Sequence, residues 1–167
     1  RHRQPVRRGV ATILFTDIVG STDLASTMGD ERWARLLDEH HRAGAEATRR
    51  SGGTVVKTTG DGLLAVFDGP SRAVQAVDEL RHEVRPLGLQ LRAGIHTGEI
   101  ERTGGDVAGI GVHIAARVMA LAEPDEVLCT RTVRDLSAGS GIEFVERGPR
   151  ALRGIPGEWD VYAVAGA

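Results

Sequence analysis

The sequence has 167 residues, enough for one globular domain with a substantial core, and its 41% hydrophobic and 26% charged residues are typical of soluble proteins. These proportions exclude a disordered or fibrous chain, and no apolar run approaches the roughly 20 residues of a membrane-spanning helix. A single cysteine, Cys129, excludes an internal disulfide and favours a cytoplasmic location. Four of the 21 basic residues lie in the first nine positions, and all 23 acidic residues follow them. We therefore predict a basic tail or linker over residues 1–9 and an acidic domain over residues 10–167, without contact to nucleic acid or membrane.

Patterns typical of strands and of helices alternate along the chain. Apolar and β-branched runs predict strands over residues 10–18, 54–59, 62–68, 89–100, 127–130 and 159–164, with one more near Phe144. Turn residues and helical spacing predict helices shortly after Gly20, from Asp30 to about residue 50, and over residues 70–84, 110–122 and 132–136. This order favours an α+β fold with a mixed sheet, including a hairpin at Gly60-Asp61, over a doubly wound fold.

The first motif that can carry chemistry is Phe-Thr-Asp-Ile-Val-Gly-Ser-Thr at residues 15–22. It places Asp17 at the end of a strand, and Gly20, Ser21 and Thr22 at the start of a helix. Backbone N–H groups at a helix N-terminus attract phosphate, and Asp17 can hold the metal ion that accompanies phosphate. The alternative is structural, with Asp17 turning the chain and the hydroxyl groups capping the helix.

The second motif is Lys-Thr-Thr-Gly-Asp-Gly at residues 57–62. An aspartate between two glycines is an ordinary turn residue, but Asp61 can also join Asp17 if their strands are neighbours. Two carboxylates, completed by phosphate oxygens, can hold a pair of Mg²⁺ ions for in-line phosphoryl chemistry. Lys57 is the only lysine of the chain, and a planar guanidinium does not replace a flexible ammonium, so we predict a specific role for it.

The third candidate segment is the helix predicted over residues 110–122. His113 and Arg117 lie four residues apart and share a stripe beside an apolar face, which is predicted to comprise Val112, Ala115, Ala116, Met119 and Ala122. An arginine there can neutralise the charge that develops on a phosphate during transfer. The alternative is a solvated arginine beside a histidine at the edge of the helix.

Four other side chains with reactive groups are predicted to be structural. His96 is expected to be a hydrogen-bonded histidine at a strand end, and Cys129 to be buried in a strand. His40 and His41 are expected at the edge of the core and on the surface, because they lie on or beside the apolar stripe of the long helix.

Taken in order and spacing, the segments FTDIVGST, VKTTGDGLLAVF, LRAGIHTGEI and GIGVHIAARV resemble the catalytic domain of class III nucleotidyl cyclases, the adenylate and guanylate cyclase family. The resemblance covers about residues 10–164. It implies a palm-like, ferredoxin-related βαβ fold with a mixed sheet flanked by helices. It also implies a head-to-tail homodimer with two active sites in the interface, each using two Mg²⁺ or Mn²⁺ ions.

The resemblance assigns roles position by position. Asp17 and Asp61 correspond to the metal-binding aspartates, with Ile18 beside them at the metal site, and Ile18, Gly20, Ser21 and Thr22 correspond to the triphosphate cradle. Lys57, Asp106 and Ala108 correspond to the base pocket, Arg92 and Arg153 to basic residues that hold the triphosphate, and His113 and Arg117 to catalytic residues. In the implied dimer, one chain supplies Asp17, Asp61 and Arg92, and the other supplies Lys57, Asp106, His113, Arg117 and Arg153.

Three positions depart from the usual pattern of the family. His113 stands where an asparagine is usual and Arg153 where a lysine is usual, while Ala108 leaves a roomier base pocket than a bulky residue. Lys57 can donate to N1 of adenine and Asp106 can accept from its 6-amino group, whereas guanine reverses both groups. The resemblance therefore implies an adenylate cyclase that converts ATP to cyclic AMP and pyrophosphate. The alternatives are a cyclase-homology module without turnover, serving as a nucleotide sensor or dimerisation unit, and a guanylate cyclase.

Overall fold

The computed structural model describes residues 5–165, which form one sheet with helices on both sides. The strands are β1 (Arg7–Ile18), β2 (Thr54–Thr58), β3 (Leu63–Phe67), β4 (Leu91–Thr103), β5 (Asp106–Ala108), β6 (Val127–Thr130), β7 (Glu143–Ala151) and β8 (Glu158–Ala165). The helices are α1 (Ser21–Met28), α2 (Asp30–Arg50), α3 (Pro70–Val84), α4 (Ile110–Ala120) and α5 (Arg131–Leu136), with a 3₁₀ turn at Arg85–Leu87.

The sheet is mixed, as the sequence predicts. Its strand order is β2-β3-β1-β4-β6-β8-β7, and β5 pairs with β4 outside this path. The β4–β6 pair is parallel, and the other pairs are antiparallel. The predicted α+β class is therefore confirmed. The end of β1 lies beside the starts of β3 and β4, and this is where the first two motifs lie.

The long pairing of β1 with β4 moves several predicted boundaries. β1 begins at Arg7 instead of residue 10, because residues 7–9 pair with residues 100–102 of β4. These three residues were predicted to belong to the tail, but they are part of the sheet; residues 1–4 lie outside the described part of the chain. β4 runs from Leu91 to Thr103 instead of 89–100, and β5 was not predicted because three residues are too short for an alternating pattern.

Over their paired lengths, β1 and β3 are largely buried on both faces, which explains their nearly continuous apolar sequences. Leu14 and Leu63 face the cluster built with α2 and α3, whereas Ile13 and Leu64 face a second cluster that includes Ala115 of α4. The alternation of side chains along a strand produces this division. None of the helices within residues 5–165 combines the length and the apolarity needed to cross a bilayer.

Candidate active site

The hairpin that carries Asp61 lies directly against the end of β1. The turn is closed by the Thr59 N–H, which donates to the Gly62 carbonyl at 2.9 Å. A Cβ atom on Gly62 would lie 1.9 Å from the Thr16 carbonyl oxygen and 3.1 Å from the Asp17 Cα. Only a glycine permits this approach, and it brings the loop of Asp61 next to Asp17, as the two-carboxylate hypothesis requires.

Arg92 holds the carboxylate of Asp17 with two hydrogen bonds. The two residues face each other in the β1–β4 ladder, and Nε donates to Oδ1 at 3.0 Å while Nη2 donates to Oδ2 at 2.5 Å. Hydrogen bonding to Asp17, opposed by partial burial, raises the pKa of Arg92 above its ordinary value. Nη1 reaches the carbonyl oxygen of Ala120 in the last turn of α4 at 3.4 Å. Arg92 therefore links the predicted metal site to the helix that carries His113 and Arg117.

A groove of about 540 Å³ lies beside Asp61. Ser21 and Thr22 in the first turn of α1 form one wall, and the hairpin at Gly60-Asp61 forms another. Gly20 precedes α1 with a φ of 66°, a left-handed conformation that turns the chain from β1 into the helix. The structure thus places two of the predicted phosphate-binding residues, Ser21 and Thr22, around the same groove as one predicted metal ligand, Asp61.

Five groove residues were not predicted as part of the site: Ala25 and Ser26 of α1, and Asp30, Trp33 and Leu37 of α2. Trp33 and Leu37 of α2 add an apolar wall beside the hairpin. Their spacing on α2 indicated a buried stripe, and no local signal distinguishes a stripe that borders a groove from one that is wholly inside the core.

The residues around Asp17 and Asp61 fit Mg²⁺ or Mn²⁺. Both are carboxylates, which are hard oxygen ligands suited to these ions. Ile18 is buried through its side chain, so only its backbone can contribute to the site. Residues 5–165 contain no group of three or more His, Cys, Asp and Glu side chains placed to hold an ion, so an ion bound by Asp17 and Asp61 would need further ligands, such as triphosphate oxygens.

Lys57 and Asp106 meet although 49 positions separate them. Their Nζ and Oδ1 atoms lie 3.5 Å apart, where the edge strand β2 approaches β5. The same Oδ1 accepts the Val107 N–H at 2.9 Å, which orients the carboxylate. Both side chains are exposed, at 51% and 65%, so the pair can still contact another molecule. Ala108 ends β5 and is also exposed.

Helix α4 lies on the backbone of β4. A Cβ on Gly94 would be 2.3 Å from the Met119 nitrogen, and one on Gly111 would be 2.6 Å from the Glu99 carbonyl oxygen. This contact turns His113 and Arg117 outward, and both are exposed. The predicted apolar face is partly wrong, because the contact with β4 sets the rotation of the helix. The buried residues of α4 are Gly111, Ile114, Ala115 and Val118, whereas Val112, Ala116 and Met119 are half-buried.

Arg153 lies in the exposed loop between β7 and β8. Leu152 and Ile155 anchor this loop in the cluster that also holds Ile114 and Val118 of α4. Within residues 5–165, no side-chain hydrogen bond or ion pair joins His113, Arg117 or Arg153 to Asp17 or Asp61. These three predicted residues are therefore exposed and not joined to the predicted metal ligands within this chain.

His40 departs from its prediction. It is fully buried instead of lying at the edge of the core, and neither ring nitrogen has a partner among the described residues. Burial, and secondarily the neighbouring His41, lowers the pKa of His40 to about 4, while the charge of Asp61 opposes the shift. His40 is therefore neutral near pH 7, and it lies close enough to Asp61 for the carboxylate to influence its pKa.

His96 is hydrogen-bonded and Cys129 is buried in a strand, as predicted, but His96 lies in the middle of β4 and not at a strand end. The ring of His96 is buried and its Nδ1 lies 2.7 Å from Thr130 Oγ1, and burial lowers its pKa to about 4. Cys129 is fully buried in β6, and burial raises the pKa of its thiol to about 12, which makes it a poor nucleophile.

Comparisons with known proteins identify the family. A family model described as the adenylate and guanylate cyclase catalytic domain matches residues 4–166. A pH-sensitive adenylate cyclase of Mycobacterium tuberculosis is 31% identical over 159 residues, which cover 92% of this chain and 40% of the relative. An adenylate cyclase of Streptomyces coelicolor is 34% identical over 119 residues, covering 68% of this chain and 30% of the relative. This chain spans less than half the length of these curated relatives.

Solved structures agree in fold. The adenylyl cyclase CyaB from P. aeruginosa superposes with a TM-score of 0.85 and 25% identity, covering 98% of this chain and 97% of that one. The catalytic core of a rhodopsin-guanylyl cyclase with converted specificity, in complex with ATPαS, superposes with a TM-score of 0.89 and 18% identity, covering 97% and 99%. The chain therefore belongs to the class III adenylate and guanylate cyclase catalytic domains, and the expected cyclase fold is confirmed.

Proposed function

We propose that this domain is an adenylate cyclase that converts ATP to cyclic AMP and pyrophosphate. The observation that carries the proposal is the Lys57–Asp106 pair, whose Nζ and Oδ1 atoms lie 3.5 Å apart on an exposed edge of the sheet. The curated relatives of Mycobacterium tuberculosis and Streptomyces coelicolor, both named adenylate cyclases, support the same choice of nucleotide.

The pair selects a base through hydrogen-bond complementarity. Adenine presents N1 as an acceptor and its 6-amino group as a donor, which match the Lys57 ammonium and the Asp106 carboxylate. Guanine presents N1–H and O6, so a donor would face the lysine and an acceptor would face the carboxylate. Because polar groups left unpaired on binding are costly, this pair favours ATP over GTP.

The reacting end of ATP would lie at the predicted metal site. Asp17 and Asp61, with the backbone of Ile18, would hold two Mg²⁺ or Mn²⁺ ions, which when bound acidify the ribose 3′-hydroxyl and neutralise charge on the phosphates. Backbone N–H groups of Gly20, Ser21 and Thr22 would bind the triphosphate at the start of α1.

Arginine and histidine side chains would complete the site. Arg92 and Arg153 would pair with phosphate oxygens, and Arg117 would stabilise the charge that develops on the α-phosphate during attack. His113 would donate a hydrogen bond where an asparagine is usual in the family.

We further propose that each active site is shared between two copies of this chain. The Lys57–Asp106 pair, His113 and Arg117 are all exposed, which is unusual for groups that must read a base and stabilise a transition state in a water-poor site. A second copy related by a two-fold axis would cover them with the groove of Asp17 and Asp61.

Turnover measurements test the activity. With Mn²⁺, the domain should form cyclic AMP from ATP faster than cyclic GMP from GTP, and Asp17→Ala or Asp61→Ala should lower the rate by at least ~100-fold. Faster use of GTP would identify a guanylate cyclase. ATP binding without any cyclic product would favour the nucleotide-sensing or dimerisation module, the alternative to which the unusual His113 points.

Mixing variants tests the shared site. Asp17→Ala and Lys57→Ala should each be inactive, yet after subunit exchange half of the dimers would be mixed and would retain one intact site. The mixture should then recover roughly a quarter of the parental activity. No recovery, despite exchange shown with tagged subunits, would place each active site within one chain.

A further inference from the structure

Arg92 uses both oxygens of a carboxylate that the proposed function assigns to a metal ion. The two hydrogen bonds to Asp17 measure 3.0 and 2.5 Å, the two-pronged geometry in which arginine binds carboxylates most strongly. The side chains of Asp17 and Arg92 are only 19% and 31% exposed. Solvent therefore screens this pair less than an ion pair on the open surface.

Asp17 cannot accept hydrogen bonds from Arg92 on both carboxylate oxygens and coordinate a divalent cation fully at the same time. A metal ion needs at least one carboxylate oxygen as a ligand, and the guanidinium donates to each of them. A cation bound to the same carboxylate as Arg92 would also be repelled by the positive charge of the guanidinium. We propose that Arg92 competes with the metal ion for Asp17, so that Asp17 binds a bare cation weakly until the triphosphate of the nucleotide draws Arg92 away. This inference rests on the proposed metal role of Asp17.

The position of Arg92 suits such a transfer. It lies directly opposite Asp17 in the β1–β4 ladder, so rotation of the side chain is enough to break the pair without moving a strand. Phosphate oxygens offer the guanidinium the same two-pronged geometry as a carboxylate. The contact of Nη1 with the Ala120 carbonyl oxygen, at 3.4 Å, does not involve Asp17 and can limit how far the guanidinium moves. The expected consequence is that metal and triphosphate each promote binding of the other through Arg92.

The experiment measures Mn²⁺ binding to the purified chain without nucleotide, by following the electron paramagnetic resonance signal of free Mn²⁺. Arg92→Gln should lower the Kd for Mn²⁺ by about tenfold, equivalent to about 1.4 kcal/mol, while raising the KM for ATP. Arg92→Lys should lower the Kd by less, because lysine retains the charge but cannot match both oxygens with a planar fork.

Two further variants separate the possible explanations. Arg49→Gln removes the same charge from an exposed pair on α2, where Nη2 of Arg49 lies 2.8 Å from Glu46, and it should leave the Mn²⁺ affinity unchanged. Asp17→Ala should remove the measured Mn²⁺ site. Thermal melting curves establish that each variant is folded, and if Arg92→Gln is not, the comparison rests on Arg92→Lys.

The results for these variants distinguish the competition by Arg92 from the metal-binding role of Asp17. An unchanged or weaker Mn²⁺ affinity in the folded Arg92 variants, with binding lost in Asp17→Ala, overturns the competition and leaves the proposed metal site intact. An equal gain in Arg49→Gln also overturns it, because the effect would then be one of general charge. Unaltered Mn²⁺ binding in Asp17→Ala contradicts the metal role of Asp17 and therefore the mechanism on which this inference rests.

Discussion

The substitution Gly62→Ala tests whether the close contact of the hairpin with β1 builds the metal site. The added Cβ would lie 1.9 Å from the Thr16 carbonyl oxygen, whereas Cβ atoms essentially never come closer than 3.0 Å to such a neighbour. The hairpin must therefore move by at least about 1.1 Å, and Asp61 moves with it. Overpacking of this kind costs about 1–3 kcal/mol, and a displacement of about 1 Å at reacting groups can lower turnover by ~100-fold.

Three properties of the Gly62→Ala variant are to be measured: its Mn²⁺ affinity, its rate of cyclic AMP formation and its melting temperature. We expect weaker Mn²⁺ binding, turnover reduced by roughly 100-fold and a loss of roughly 2–4 °C in Tm for each kcal/mol of destabilisation. Gly9→Ala is the matched control, because Gly9 lies in β1 of the same sheet and an added Cβ there meets nothing within 4 Å. Parental Mn²⁺ affinity and turnover in a folded Gly62→Ala variant would refute the reasoning.

Three further predictions concern the proposed base selectivity, the proposed catalytic role of His113 and the two buried histidines His40 and His96. Lys57→Glu combined with Asp106→Cys should raise the rate with GTP relative to ATP, and an unchanged preference would contradict the base-reading assignment. His113→Asn should keep or raise kcat while His113→Ala lowers it, and an alanine variant as fast as the parent would show that His113 does not act. Burial lowers the pKa of His40 and of His96 to about 4. Between about pH 6.5 and pH 4 the unfolded chain therefore binds more protons than the folded chain. The free energy of unfolding should then decrease as the pH falls through this range. Each histidine should lower the free energy of unfolding by roughly 2 kcal/mol by about pH 5, as measured by urea unfolding. His40→Leu should make the free energy of unfolding less dependent on pH. The same slope in that variant would show that His40 does not contribute.

Much of the candidate site follows from local patterns. Backbone preferences over a few residues predict three of its features. These are Asp17 near the end of a strand, a two-residue turn at Gly60-Asp61, and the placement of His113 and Arg117 on one stripe of a helix. Most element bounds were predicted within about three residues for the same reason, and helix α3 matches its prediction of residues 70–84. The roles of the site residues stay predictions until activity and binding are measured.

Patterns in the sequence could not determine how far each strand pairs or which helix face is buried. β1 extends back to Arg7 because β4 offers a partner there, and no property of residues 7–9 alone indicates this. The rotation of α4 about its axis depends on Gly94, where the helix touches the backbone of β4. His40 looks like any residue at the border of an apolar stripe until α2 packs on the sheet and buries it completely.

The sequence by itself determined the α+β class, the order of the elements other than β5, and the types of residue that can bind metal, phosphate and base. These depend on short-range conformational preference and on chemistry. Only the tertiary structure decided that Lys57 meets Asp106 across 49 positions and that Arg92 holds both oxygens of Asp17. Those contacts depend on strand register and on backbones that approach within atomic contact. Both result from packing among distant segments, which no local stretch of sequence specifies.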